Sequence, residues 1–185
     1  MQYRNARDLC LKHFPSDPAR FYGPAAGLPL GAGILLRDCV VAVPHETEVR
    51  YETGVGPALI LTHECDIDPS NDRHFNDLLL VCPIIPLDDF CVEYEQEGGA
   101  GSWGGILQAI AGNIVHRAMY LPPFPEMEGG GIIYLNNVSS CRVAWITDLS
   151  DQAICSLSAR GLQMFDFKLT NHLFREKAVP LLFGR

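Results

Sequence analysis

LILTHECDIDPSNDRHFNDLLLVCPIIPL, residues 59–87, decides the fold, because two apolar runs here flank a loop of polar residues. The runs at 58–63 and 78–83 are short, rich in Ile and Leu, and bounded by turn-forming residues, as β-strands are. We therefore predict a strand, a polar loop and a second strand. The same stretch contains two histidines, two cysteines and five acidic residues, so it is also the first candidate for chemistry.

Similar short apolar segments recur along the chain on both sides of this stretch. Most are rich in β-branched or aromatic residues and end at turn-forming residues. We predict further strands at 33–36, 39–43, 48–52, 90–95, 117–121, 131–135, 141–146 and 153–156. So many short strands predict a mainly β fold, a barrel or a sandwich, with residues 31–156 as its framework.

Helical patterns add to this framework at the N-terminus and in the middle. Residues 4–13 predict a short helix that stops before Pro15. The Gly- and Pro-rich stretch that follows, up to residue 30, predicts an irregular lead-in. A glycine-rich loop and a short apolar helix at 96–116 interrupt the strands, and we interpret them as an insertion.

The C-terminal part changes to a helical period. Ser158 is a good N-cap for an amphipathic helix at 158–177. Its predicted apolar face comprises Leu162, Phe165, Leu169 and Leu173. With a length of 185 residues, all parts of the chain fit one domain, 1–185.

Composition narrows the classes of partner. The formal net charge is −8, which disfavours a nucleic-acid surface and favours a basic protein segment as the partner. The seven cysteines contain no Cys-x-x-Cys pair, which indicates reduced thiols in a cytoplasmic protein. No run of eighteen apolar residues and no signal-peptide pattern is present, so we predict no membrane span.

The opening stretch offers a metal hypothesis. In a strand at 58–65, His63 and Cys65 point to one side while Glu64 and Asp66 point to the other. Imidazole and thiolate are zinc ligands, and zinc needs four ligands or three and a water molecule. His74 or Cys82 would complete the set if the two strands pair in the right register. In the alternative interpretation, Cys65 belongs to the core and His63 is a polar residue at the rim.

Two weaker patterns compete with ordinary loop chemistry. The alternating positions at which a calcium-type loop needs oxygen ligands fall on Asp66, Asp68, Ser70, Asp72, His74 and Asp77. However, Asn71 replaces the required glycine, and Asp, Ser and Asn are common loop residues. Gly99, Gly101 and Gly104 have the spacing of a phosphate-binding loop, but acidic residues precede them and no β-α-β alternation surrounds them. We interpret both as loops.

Nucleophilic catalysis has candidates without a complete set of partners. Cys65 could act with His63 or His74, but the acidic residues around it disfavour the thiolate that a nucleophile needs. The sequence HECDI lacks the second histidine of a zinc protease motif. His172 lies near the apolar face of the C-terminal helix, where a packed structural histidine is expected.

Residues 31–87 resemble the PemK/MazF-like family of small SH3-like barrels. GAGILLRD stands where the family has Gly-Asp-Ile before its first strand. GVGPALILTHECD has the shape of the family's Arg-Pro dipeptide followed by an apolar strand, and FNDLLLVCPIIPL is similar to its Phe-Asn segment and valine-rich strand. The resemblance covers about the middle third of the chain, and the closing amphipathic helix also agrees with the family.

The resemblance implies an SH3-like β-barrel from a bacterial or phage protein related to toxin–antitoxin systems. The family's toxins cleave RNA with an Arg and a Thr or Ser at two strand junctions, because the phosphate needs a cation and a proton donor or acceptor. Here Gly56 replaces the Arg before Pro57, and Ile85 or Pro86 stands where the hydroxyl should follow Pro83. The resemblance therefore implies the scaffold without the family's catalytic positions.

We predict that the chain is a non-catalytic binding or regulatory module that engages a protein partner. Its contact surface would be the rim at 63–77 and the loop at 96–105, with Trp103 as an aromatic anchor. In the alternative interpretation, Trp103 folds back onto the core.

Two enzymatic alternatives remain open. One is a toxin-like nuclease that acts on RNA with Arg50, Arg73 or His74. The other is a metal-dependent site at 63–82, and zinc is the one cofactor this pattern suggests. The candidate residues for any chemistry are His63, Glu64, Cys65, Asp66, Asp68 and His74, and the candidate metal ligands are His63, Cys65, His74 and Cys82.

Overall fold

The computed structural model describes residues 4–44, 48–72, 74, 77–96, 103–146 and 148–173. Its helices are α1 (Arg4–His13), α2 (Glu64–Ile67), α3 (Leu87–Gln96), α4 (Trp103–Ala111), α5 (Leu149–Gln152) and α6 (Ala159–Leu173). Its strands are β1 (Tyr22–Gly23), β2 (Ile34–Pro44), β3 (Tyr51–Ile60), β4 (Leu78–Pro86), β5 (Ala118–Leu121), β6 (Gly131–Tyr134), β7 (Ser139–Arg142) and β8 (Ala153–Leu157). The protein is therefore a mixed α/β protein, so the predicted mainly β class is only partly confirmed.

The eight strands form one antiparallel sheet. Its order is β1-β8-β2-β3-β4-β6-β5, and β7 pairs with β4 beside this path. Because β1 and β5 stand at opposite ends of the order, the sheet of the described residues does not close into a barrel. β4 connects the two parts of the sheet. The middle of β4 pairs with Ala58–Ile60 of β3, and the last residues of β4 pair with β6.

The predicted strands at 33–36 and 39–43 are halves of one strand, β2. A bulge between Leu36 and Cys39 shifts its register against β3, which explains why the sequence pattern is interrupted at Arg37 and Asp38. The predicted segments 48–52 and 58–63 overlap only the two ends of one strand, β3, which begins at Tyr51 and ends at Ile60.

The predicted strand at 90–95 is wrong, because these residues lie in helix α3. Alternating apolar residues suggested a strand, but Leu87, Phe90 and Cys91 are buried at helical spacing. Asp88 and Asp89 lie in the first turn of α3, where carboxylates favour a helix through its dipole. The predicted strand at 141–146 is also shortened, since β7 ends at Arg142 and a 3-10 turn follows.

Three helix predictions are confirmed over their described parts. Helix α1 has the predicted bounds, and α4 provides the helix of the 96–116 insertion. Ser158 caps α6, because its Oγ accepts the Gly161 backbone N–H at 3.2 Å. Residues 97–102, including Gly99 and Gly101, and residues 174–177 of the predicted C-terminal helix lie outside the described residues. None of the described helices is long and apolar enough to cross a membrane.

Two apolar cores lie on opposite faces of the sheet. The larger core packs α1, α3, α4 and α6 against the sheet and contains edge-to-face contacts of Phe14 with Phe21 and Tyr120. The smaller core lies among β2, β3, β4 and β7 and includes Ile60 and Leu79. Ile67 of α2 packs into this smaller core, so the short helix α2 is anchored to the body of the domain.

Candidate functional site

The polar stretch after β3 forms a tight corner instead of continuing the strand. Thr62 Oγ1 accepts the Leu80 N–H of β4 at 2.7 Å, which fixes the end of the strand. His63 then acts as the N-cap of α2, because its Nδ1 accepts the backbone N–H of Cys65 at 3.3 Å. Residues 63–65 are thus the beginning of a single helical turn, and the predicted alternation of their side chains is wrong.

The helical turn brings His63, Glu64 and Cys65 together. One ligand atom from each of the three side chains lies within 4.8 Å of the other two. The His63 Nδ1 and the Glu64 Oε2 are 3.4 Å apart. His63 and Cys65 are exposed and Glu64 is half-buried, so a metal ion could reach this cluster from solvent. The predicted strand at 58–65 would instead have placed the Glu64 side chain on the opposite side from those of His63 and Cys65.

The other two candidate metal ligands do not belong to this cluster. Cys82 is fully buried in β4, and its Sγ–H donates to the Tyr134 carbonyl oxygen at 3.2 Å. Burial raises the pKa of the Cys82 thiol to about 12, which keeps it protonated. His74 is exposed, and in the described part of the chain it is not among the side chains that meet at metal-ligand distances.

The acidic loop after α2 is organised by turn contacts. Asp68 Oδ1 accepts the Ser70 N–H at 2.8 Å, and the hydrogen bonds from Ser70 lower the pKa of the Asp68 carboxyl. The Asn71 side chain donates to the Cys65 carbonyl oxygen at 2.9 Å, and Asp77 forms an ion pair with Arg142. These contacts give Asp68 and Asp77 of the calcium-type pattern local structural roles.

A cavity of about 410 Å³ lies beside the helical turn. Three separate parts of the chain form it: the lead-in before β2, the 64–69 corner and the turn after β7. Its lining is mainly apolar, and the side chains that line it are Pro29, Leu30, Glu64, Cys65, Ile67, Asp68, Pro69 and Val143. We refer to this cavity as the corner pocket.

Electrostatics distinguish the corner pocket from an ordinary apolar cleft. The ionisable carboxylates in its lining belong to Glu64 and Asp68, and no Lys or Arg of the described residues lines it. The low pKa of Asp68 means that its charge persists in mildly acidic solution. A carboxylate at the rim of an apolar cavity suits a ligand that carries an apolar group next to a positive charge.

Backbone proximity holds the corner against the body of the domain. A Cβ added to Gly31 would lie 2.9 Å from the Glu64 Cβ and 3.0 Å from the Glu64 backbone nitrogen. Only glycine therefore permits α2 to approach the lead-in so closely. Sequence reasoning missed Gly31, Leu30 and Val143 as parts of the site, since they lie far from residues 63–77 and carry no motif.

Cys65 differs from the remaining cysteines. All seven thiols are free, and six are buried while Cys65 is exposed. Burial raises the pKa of Cys10 and Cys155 to about 12 in both cases. Cys39 and Cys141 lie in the smaller core with their Sγ atoms 3.6 Å apart. Cys65 is thus the thiol that solvent reagents and metal ions reach.

The residues proposed for other interfaces lie elsewhere. The Trp103 indole N–H donates to Glu95 Oε1 at 3.0 Å, and the half-buried ring packs against the larger core. Arg50 forms ion pairs with Glu48 and Glu52, which leaves its charge less available to an RNA phosphate. Arg73, the other arginine of the nuclease hypothesis, lies outside the described residues.

Comparison with known proteins adds no family to this geometry. No protein-family model matches the chain, and a search of the curated proteins finds no match to it. The PemK/MazF-like resemblance thus rests on the sequence patterns alone, and functional conclusions depend on the corner itself.

Proposed function

We propose that the protein is a non-catalytic binding module that engages a protein partner through the corner pocket. The observation that carries this proposal is the combination of an apolar cavity of about 410 Å³ with Glu64 and Asp68 in its lining. This volume lies in the range of protein cavities that accept a ligand group. A divergent scaffold of the PemK/MazF-like type, without the family's catalytic positions and with an open sheet in place of a closed SH3-like barrel, is part of the same proposal. The sharing of β4 between two parts of the sheet supports it.

The chemistry of the pocket selects a class of partner. Leu30, Ile67 and Val143 offer apolar contacts to one inserted side chain, such as a leucine or a phenylalanine. Glu64 and Asp68 favour a lysine or arginine next to that side chain. The net charge of −8 adds a long-range attraction for a basic segment. The expected partner is therefore a basic protein segment with an apolar anchor.

Selection of random peptides displayed on phage against the purified protein tests this proposal. We expect enrichment of peptides that contain a large apolar residue within two positions of Lys or Arg. A Val143→Glu variant should lose these peptides, because a carboxylate in the apolar lining costs free energy when the anchor enters. Val138→Glu places the same change at an exposed position outside the pocket and is the matched control.

Two results would contradict the proposal. If the enriched peptides contained no basic residues, Glu64 and Asp68 would not select a lysine or arginine in the partner. Enrichment that is unchanged in Val143→Glu would place binding elsewhere on the protein. Loss of binding in Val138→Glu as well would also count against the pocket, provided that circular dichroism shows both variants folded.

A second candidate function is metal binding at His63, Glu64 and Cys65, which the ligand distances within 4.8 Å favour. Three such ligands and a water molecule would satisfy tetrahedral zinc. We expect a thiol reagent to modify one cysteine rapidly in the native protein, and Cys65→Ser to abolish this reaction. If zinc binds the cluster, added zinc should slow the modification because the metal-bound thiolate is blocked.

Elemental analysis by inductively coupled plasma mass spectrometry provides the independent measurement. Stoichiometric zinc in the wild type that is absent from the His63→Ala variant would support the metal site. A thiol reaction that zinc does not change, together with metal-free protein, would rule the metal site out. Metal-free protein leaves the peptide-binding test of the corner pocket unaffected, whereas bound zinc would occupy Glu64 and Cys65 of the pocket lining.

A further inference from the structure

In the outer half of the β2–β3 hairpin, β3 is an edge strand within the described residues. Beyond the bulge, β3 pairs with β2 from Tyr51 to Gly56, whereas β4 pairs with β3 only at Ala58–Ile60. On its other side the segment 51–56 has no strand partner within the described residues. A further strand can therefore pair with β3 on that side.

One face of this hairpin is apolar and open to solvent. Val40 faces Val55 and Ala42 faces Thr53 in the register of the two strands, so these side chains share a face with Tyr51. Tyr51 is 73% exposed and Val55 is 67% exposed.

The opposite face of the hairpin reaches the smaller core through Cys39 and Val41. The direction of the exposed face is thus fixed by packing. Natural sheets protect such edges with lysines, prolines or bulges on the edge strand. Here the bulge lies on β2, and Pro57 limits only the inner end of the edge.

We propose that a second copy of this chain pairs with this edge, antiparallel and two-fold symmetric about Thr53. In this register Tyr51 lies opposite Val55 of the second copy, Glu52 opposite Gly54, and Thr53 opposite Thr53. Aromatic–β-branched and Thr–Thr pairs are favourable cross-strand neighbours. The edge is complementary to itself without placing like charges opposite each other.

Neighbouring registers are less favourable. Facing residues of an antiparallel pair lie on the same face, so the symmetry axis must pass through one residue position. An axis at Glu52 would place two glutamates opposite each other. An axis at Gly54 would place Tyr51 opposite Pro57, which has no N–H for the ladder. The axis at Thr53 avoids both problems.

The expected dimer is weak and depends on protein concentration. A ladder over residues 50–56 spans about 24 Å at roughly 3.4 Å per residue, which is small for a permanent interface. Sedimentation velocity over a range of concentrations should show a reversible monomer–dimer equilibrium. Tyr51→Lys with Val55→Lys should weaken it at least about tenfold, because the changed side chains repel across the axis.

Charge complementation tests the register itself. A chain with Tyr51→Glu and Val55→Glu should also be monomeric alone, while an equimolar mixture of the two doubly substituted chains should dimerise. In a Cys65→Ser background, Thr53→Cys should form a disulfide-linked dimer on mild oxidation with oxidised glutathione, which accepts the two electrons from the two thiols. Glu52→Cys, which is also at an exposed position of β3 but lies opposite Gly54 in this register, should cross-link far less and is the matched control.

Each result decides the proposal. A monomeric wild type at all concentrations overturns it and leaves the edge to a strand of another protein. A dimer that persists with both lysine substitutions overturns it as well, because association then uses another surface. A mixture that fails to dimerise excludes the register. Because the changed side chains are exposed, we expect every variant to fold. Circular dichroism of each variant checks that a loss of dimer is not caused by unfolding.

Discussion

Replacement of Lys168 by methionine should raise the free energy of unfolding by about 2 to 3 kcal/mol near neutral pH. Lys168 lies in α6 with only 3% of its surface exposed. Its Nζ is buried and has no hydrogen-bond partner within the described residues. Burial lowers the pKa of Lys168 from 10.5 to about 8, because the charged form loses its hydration. Methionine has a similar length and removes the unpaired charge.

The pH dependence of this effect has a definite sign. Below pH 8 the lysine is charged in both states, so the full cost of burying the charge reduces stability. Between about pH 8 and the ordinary lysine pKa of 10.5, the unfolded chain binds a proton that the folded protein has released. The free energy of unfolding therefore rises with pH in this interval. The advantage of Lys168→Met should accordingly shrink from pH 7 to pH 10.

Urea unfolding of both proteins at several pH values measures this difference directly. Titration of the other groups largely cancels in the comparison, because the two chains differ at one residue. Lys12→Met in α1 is the control, since Lys12 is exposed and should change stability by less than about 0.5 kcal/mol. An unchanged or lower stability of Lys168→Met at pH 7 would show that the amine is solvated or paired in the folded protein.

Lys168 also illustrates what the sequence pattern of α6 could not predict. The pattern identified the N-cap and the helix, but the predicted apolar face ran through Leu162, Phe165, Leu169 and Leu173. In the structure Phe165 is buried, whereas Leu173 is 61% exposed and Lys168 takes a buried position. A helical period gives the direction of a face only to within one residue position. The neighbouring elements decide whether a lysine stem is covered.

Most strands were predictable because a short apolar run between two turns is too short for a typical helix and forms a strand instead. Helix α3 was not, since Phe90 and Tyr94 fit both a period of two and a helical face. The corner pocket was even less accessible to sequence reasoning. Leu30, Ile67 and Val143 come from three distant segments that only the sheet register brings together. Local patterns can indicate polar candidates such as His63, but they cannot indicate what lies across a cavity.

The second large effect is expected at Gly31, which packs against Glu64 of α2 and so joins the lead-in before β2 to the candidate site. Gly31→Ala should lower the free energy of unfolding by about 1 to 3 kcal/mol, the usual cost of overpacking. Alanine at a compatible site would instead stabilise by restricting the unfolded chain. Here the new Cβ would lie 2.9 to 3.1 Å from three atoms of Glu64, two of which belong to its backbone. Relief of the contact requires α2 to move as a unit.

Movement of α2 should also change the corner. Ile67 fixes α2 in the smaller core, so displacement must either strain this contact or reposition Cys65 and the pocket lining. We expect Gly31→Ala to show both a lower urea midpoint and an altered rate of Cys65 modification by a thiol reagent. Gly23→Ala is the matched control, because a Cβ at Gly23 would meet nothing within 4 Å. If stability and the rate of thiol modification were unchanged in Gly31→Ala, the lead-in before β2 would have shifted to relieve the contact with Glu64. The close approach of Gly31 to Glu64 would then not hold the corner in place.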